Sequence, residues 1–251
     1  MTKADMHVHS KYSHESNMEL ERITELFLEK GIHYVGITDS VELERENIEE
    51  VIEKFQIRNA EIDQLNEKYE GKITLLKSAE IGEPYLYQEE IKRLDELGFD
   101  YTVGVIRPFS GGDKVKLATG EGTTKEYYQK VLKMIEAGNV DVIRHLDLID
   151  AYFGKDYSSL KQISEVMHAL NDSHQSLEIS PSIMSKKTIE FYPSIQKLCF
   201  YRLKCKDARV VIGSDTNRPE ELPKNLDHIE YACTEIGLVP GIYQKRKFER
   251  I

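Results

Sequence analysis

The feature that most constrains this chain is an alternation. Seven times, a short β-branched or apolar run gives way to apolar positions at helical spacing. The runs are Ala4-Asp-Met-His-Val-His, His33-Tyr-Val-Gly-Ile-Thr-Asp, Lys72-Ile-Thr-Leu-Leu-Lys-Ser-Ala, Tyr101-Thr-Val-Gly-Val-Ile, Val140-Asp-Val-Ile, Leu177-Glu-Ile and Arg209-Val-Val-Ile-Gly. A charged or imidazole group stands in or just after each: His7 with His9, Asp39, Glu80, Arg107, His145, Glu178 and Asp215. Taking His7 for the first run, successive groups lie from 27 residues apart (Glu80 to Arg107) to 41 apart (Asp39 to Glu80). A strand–helix unit takes roughly 30 residues, so each step fits one unit, and strands alternating with helices imply a parallel sheet. Seven units predict an α/β fold, a distorted (β/α)7 TIM-like barrel with its site at the C-terminal strand ends. An open doubly wound sheet is the alternative, and it gathers ligands at one switch point rather than around a ring.

The 251 residues, 40% of them hydrophobic, suffice for one core, and no linker divides them, so a single domain over 1–251 is expected. Acidic side chains outnumber basic ones, 44 to 34, for a formal charge of −10. That balance excludes gripping a nucleic-acid backbone, whose affinity comes from phosphate neutralisation, but not holding one small anion. Cys199, Cys205 and Cys233 form no CxxC pair and are odd in number, so no disulfide framework is expected. No run approaches about 18 apolar residues and the start has no apolar leader core. A cytoplasmic protein without a membrane partner is the expectation.

Several local signals carry predictions. Ser16 and Glu19 fit a capping box opening a helix that Gly31 ends. Further helices are expected over 48–69, 89–97, 124–137, 160–170, 189–203 and 220–236. Gly111-Gly112 and Gly120-x-Gly122 lack the context of a phosphate loop and read as a loop over the site. The basic tail from Lys245 is expected to pack beside the barrel or stay mobile. His33, His168, His174 and His228 have no partners in the ring and read as surface or helix residues.

The chemistry is carried by the strand ends. His7 and His9, two apart on a strand, face one way and can reach one cation, or they are two polar groups on a solvated face. Glu80 is a ligand or the partner of a basic residue, since burying it alone is costly. His145 is a ligand or a hydrogen-bonded core histidine. Asp215 is a ligand or a helix cap before Pro219. Together, His7, His9, Glu80, His145 and Asp215 form a mixed nitrogen and oxygen set suited to Zn²⁺, Mn²⁺ or Fe²⁺.

Asp5-Met-His-Val-His with His14 downstream, Thr38-Asp39, Glu80, His145-Leu-Asp147 and Gly213-Ser-Asp215 resemble the polymerase and histidinol phosphatase (PHP) family, above all its stand-alone histidinol phosphatases. The resemblance implies a distorted (β/α)7 barrel with up to three divalent metals hydrolysing a phosphate ester. It implies one metal on His7, His9, Glu80 and Asp215, and a second shared by Glu80 and His145. Arg107 stands where that second site has a histidine, and at the third site His14 is accompanied by Ser40 and Asn217 in place of histidines. One tightly bound metal and at most a second are therefore expected. Arg107 would replace part of the lost positive charge and, with Asn217, contact the substrate, while His14 or Asp39 would move protons. The implied substrate is a small phosphate monoester, L-histidinol phosphate, in histidine biosynthesis. The alternatives are a non-catalytic member that binds a phosphorylated metabolite and a metal hydrolase of amidohydrolase type.

Overall fold

A computed structural model describes residues 4–107, 120–153, 156–181, 191–221 and 226–251. The chain runs β1 (Ala4–Val8), α1 (Leu20–Glu29), β2 (Tyr34–Val41), α2 (Ile48–Lys68), β3 (Thr74–Gly82), α3 (Gln88–Asp95), β4 (Tyr101–Val105), α4 (Gly120–Ala137), β5 (Val142–Ile143), α5 (Leu148–Phe153) and α6 (Leu160–Ser173). It continues through β6 (Ser176–Pro181), β7 (Phe191–Tyr192), α7 (Ile195–Lys204), β8 (Val210–Ile212), α8 (Leu226–Glu235), β9 (Gly241–Gln244) and β10 (Lys247–Arg250).

Seven strands, β1-β2-β3-β4-β5-β6-β8, pair in parallel in that order, and β7 is a short antiparallel addition to the end of β6. The ring closes through backbone bonds beyond β8: Asp215 N–H donates to His7 O at 2.9 Å and His9 N–H to Thr216 O at 2.9 Å. This is the expected TIM-like barrel. The helices form because their apolar positions recur at helical spacing. In α2, Val51, Phe55, Ile62 and Leu65 are buried, and Asn47 caps the start by accepting from Glu49 N–H. In α6, Ser159 and Gln162 form a capping box.

Apolar residues sit between strands and helices, and a second cluster fills the lower barrel: Met6, Leu76, Tyr101, Val103, Val142 and Val211. Tyr101 lies across this interior with its hydroxyl donating to Met6 O at 2.5 Å. Gly36 makes room for it, since a Cβ there would stand 1.7 Å from the Tyr101 oxygen. Beneath, β9 and β10 form a hairpin that closes the floor. Tyr243 stacks on Tyr101 with ring centres 5.8 Å apart, and Phe248 packs on Tyr243. Among the described residues no helix is long and apolar enough to cross a membrane.

Three local expectations are corrected. Glu19, not Ser16, is the N-cap of α1, and its side chain makes no capping bond. Ser16 instead donates to His9 O and accepts from Met18 N–H, tying the site loop. Gly120 and Gly122 open α4, whereas Gly111 and Gly112 lie outside the described residues. The helix expected from Ile189 begins at Ile195, after β7. Of the two expectations for the tail, packing against the barrel holds, in the form of the β9–β10 hairpin.

Candidate metal centre

β1 carries a register shift between Asp5 and Val8, which turns His7 into the mouth of the barrel. Gly213 permits the approach, because a Cβ there would lie 2.6 Å from that of His7 and 2.9 Å from the Glu178 carboxyl carbon. His7 is fully buried. Its Nδ1 lies 2.8 Å from Glu178 Oε2, while its Nε2 makes no hydrogen bond, although Glu80 Oε2 is 3.2 Å away. His9 follows, with its ring centre 5.0 Å from that of His7. Ser13 Oγ lies 2.9 Å from Asp39 Oδ1, accepts from Ser40 N–H and stands 3.0 Å from His9 Nδ1. Because Asp39 takes the hydroxyl proton, Nδ1 is the donor toward Ser13 and Nε2 is left facing Asp215 Oδ1 at 3.1 Å.

At the centre of this group stands Arg144, 4% exposed. Its Nη1 pairs with Glu80, its Nη2 with Asp215, and its Nε lies 3.0 Å from Glu178 Oε1. Three carboxylates thus surround one guanidinium. Burial opposes the charge of Arg144, but Asp215, Glu80 and Glu178 outweigh it and raise its basicity further. Burial likewise opposes ionisation of Glu80, yet Arg144 and His7 hold it well below the usual carboxylate range. Asp215 is lowered too, burial being outweighed chiefly by Arg144. For His7, burial works against the proton, but the Glu178 charge prevails and holds the imidazole up at about 10.

Glu80 is held from a second side. Arg107 Nη2 lies 3.4 Å from Glu80 Oε1, and Nη1 pairs with Glu42. Arg107 borders a cavity of ≈ 450 Å³ whose wall includes Glu80, Glu83, Tyr87, Arg45 and His145. The glutamate that the family resemblance places between two metals therefore stands between two guanidinium groups.

The other sequence-predicted residues are distributed around this core. His145, at φ 60°, lines the cavity and stands outside the group formed by His7, His9 and Glu80. Burial, with Arg144 beside it, pushes its imidazole down to about 4. His14 is exposed at the rim, 3.0 Å from Glu15 Oε2 and 3.8 Å from Glu42 Oε1. Ser40 Oγ donates to Glu15. Asn217 has a buried Oδ1 with no hydrogen-bond partner. Asp39 points away from the mouth, since alternation on β2 turns it outward against α2. It is fully buried and accepts from Ser10, Ser13 and Arg58, an arrangement that braces the site loop.

Sequence reasoning missed Arg144 and gave Glu178 and Glu15 no role. The signal for Arg144 was alternation: Val142 faces the barrel interior, so Arg144, two residues on, does as well.

His7, His9 and Glu80 each offer one donor, all within 4.8 Å of one another. With His7 Nε2 buried and unbonded, and two imidazoles beside a carboxylate, these residues fit a divalent metal. Asp215 borders both imidazoles but shares its other oxygen with Arg144.

A seven-stranded barrel with imidazoles and carboxylates at its mouth defines a class, and residues 5–182 match the family model described as the PHP domain; the chain belongs to that family. Comparison with curated proteins gives no match. Among solved structures, the chain is similar to histidinol phosphate phosphatase (HisK) from Lactococcus lactis subsp. lactis Il1403, solved with Zn, L-histidinol and phosphate. The TM-score is 0.81 over 99% of both chains, at 19% identity. It is also similar to a Listeria monocytogenes protein assigned as histidinol phosphatase HisK, with a TM-score of 0.74 over 90% of this chain and 99% of that one, at 15% identity. At these identities the likeness concerns the fold.

Proposed function

We propose that the chain is a metal-dependent phosphoesterase that hydrolyses a small phosphate monoester, L-histidinol phosphate being the first candidate, in the cytoplasm and as one domain over 1–251. The observation that carries this reading is the His7, His9 and Glu80 donor group beside a cavity bordered by Arg107. Zn²⁺, Mn²⁺ or Fe²⁺ suits the donors, with Asp215 completing the first site and His145 available to a second. Bound there, such an ion supplies Lewis-acid stabilisation of charge on phosphoryl oxygens.

The remaining roles belong to the chain's own groups. Arg107 presents a planar fork to phosphate oxygens. The unpaired Asn217 Oδ1 accepts from a donor on the substrate, and His14 at the rim carries protons between site and solvent.

The test is phosphate release from a panel of phosphate monoesters by protein stripped with chelator and reloaded with Zn²⁺ or Mn²⁺. Turnover is expected only after reloading. Arg107→Met is expected to raise KM about 10- to 100-fold, the weight of a charge-assisted hydrogen-bond pair. Metal-loaded protein that releases no phosphate from any monoester sinks the reading. One observation favours a second, non-catalytic reading, in which the chain binds a phosphorylated metabolite: Glu80 faces Arg107 and Arg144 on its two sides. Saturable binding of a monoester by loaded protein without turnover selects that reading.

A further inference from the structure

Arg144 and a metal ion ask for the same atoms. Glu80 Oε2 is the oxygen beside His7 Nε2 and also the oxygen that Arg144 Nη1 holds. Asp215 is the expected fourth ligand and is also the partner of Arg144 Nη2. All three nitrogens of the guanidinium lie within ion-pair distance of carboxylates. Glu178 differs from the other two: one of its oxygens orients His7 Nδ1 and the other holds Arg144 Nε. It thereby keeps His7 Nε2 turned toward the donor group, as a supporting carboxylate does behind a ligating histidine.

We propose that Arg144 is a built-in cation of this centre and that a divalent metal ion must take Glu80 and Asp215 from it. The inference rests on the reading of His7, His9 and Glu80 as metal ligands, and it deepens that reading by assigning Arg144 the part of a competitor. Burying carboxylates without a counter-ion is costly, and Arg144 supplies that counter-ion when no metal is bound. The centre is then charge-compensated and folded in the metal-free protein. Metal uptake displaces the guanidinium from two carboxylates while Nε stays on Glu178. Arg107 is no substitute, because it is held at the cavity side by Glu42 and meets only the far oxygen of Glu80.

The experiment compares the wild-type protein with R144M, which keeps an unbranched apolar stem and removes the guanidinium and its charge. Zn²⁺ affinity is read by competition against a chromophoric chelator, and melting temperature is read in EDTA and in Zn²⁺. R144M is expected to bind Zn²⁺ at least about 100-fold more tightly, since the buried ion pairs that oppose the metal are gone. It is expected to melt below wild type in EDTA and to gain more from Zn²⁺ than wild type gains. R144M that binds Zn²⁺ no more tightly than wild type, or melts with it in EDTA, overturns the proposal.

Should R144M fail to fold without metal, R144K retains one charge but not the three-pronged fork. It is expected to fold in EDTA and to bind Zn²⁺ more tightly than wild type, and unchanged affinity overturns the proposal equally. None of these readouts is phosphate release. Tighter binding by R144M with no monoester turned over upholds the inference and sinks the phosphoesterase reading. Turnover by loaded wild type, with no tightening in R144M, does the reverse.

Discussion

Two arginines are buried among the described residues of this barrel, and they are buried for different ends. Arg58, on α2 between the helix and the strands, is fully buried and faces one carboxylate, Asp39. Its other partners are neutral: Ser78 O at 2.7 Å, Ile37 O at 3.4 Å and the Asn59 amide oxygen, with the Phe55 ring centre 4.1 Å from the guanidinium carbon. Burial outweighs that single carboxylate, and the basicity of Arg58 falls. Arg144, at the mouth, faces three carboxylates and its basicity rises. One guanidinium is used as a rigid set of donors, the other as a charge. A fully buried arginine is thus read from what its partners would do without it: around Arg58 they lose hydrogen bonds, around Arg144 they lose a counter-ion.

The largest expected effect falls on Arg58. Replacing it by methionine strands the Asp39 carboxylate and removes at least three donor contacts, so stability is expected to fall by about 3–5 kcal/mol. Chemical denaturation in EDTA and in Zn²⁺ should show the same loss, because no metal ligand is involved. A loss that Zn²⁺ reverses would erase the distinction between the two arginines.

A smaller effect tests how far the brace reaches. Asp39 links Arg58 to Ser13, and Ser13 holds His9 Nδ1. Asp39→Asn keeps the shape but weakens charge-assisted bonds, at an expected cost of about 2 kcal/mol. Loosening of His9 should also weaken Zn²⁺ binding by about 10-fold, as for other supports behind a ligand. Unchanged stability together with lost turnover would instead make Asp39 the proton carrier that its place in the sequence first suggested.

That reassignment shows which parts of the molecule the sequence carries openly. The spacing of the strand ends depends only on how long a strand–helix unit is, and it placed all seven parallel strands. The direction in which a strand-end side chain points depends on a register shift in β1 and on positive φ at His145 and Asp215, which no local pattern announces. Hence the donors His7, His9 and Glu80 were legible, while the inward turn of Arg144 and the outward turn of Asp39 were legible only through strand alternation. The closing hairpin was hidden for a related reason. Its turn residues, Lys245 and Arg246, adopt φ of 49° and 64° without the glycine or asparagine that marks such turns. Asp95, Asp100 and Asp141 hold that turn in place, through contacts far away in sequence.

The most local expected effect lies at a third buried cation, intermediate between the two arginines. Lys197, on α7, stands among Asp147, Asp150 and Asp156, three carboxylates as at the mouth, but with no imidazole beside them. Burial, only partly offset by Lys197, pushes the Asp150 carboxyl up to about 6. The unfolded chain titrates this group near the ordinary aspartate value of 3.8. Between these two values the folded protein holds the proton more firmly than the unfolded chain does, so the contribution of Asp150 to stability is largest below about 3.8 and is lost as pH rises through about 6. Asp150→Asn removes this dependence. Subtracting its denaturation free energies from those of wild type at several pH values should give a difference that moves against wild type between pH 4 and 6 and is flat above about 7. A difference that moves in wild type's favour over that interval would mean that Lys197 outweighs burial, and that the pocket under α7 balances its charges as the barrel mouth does.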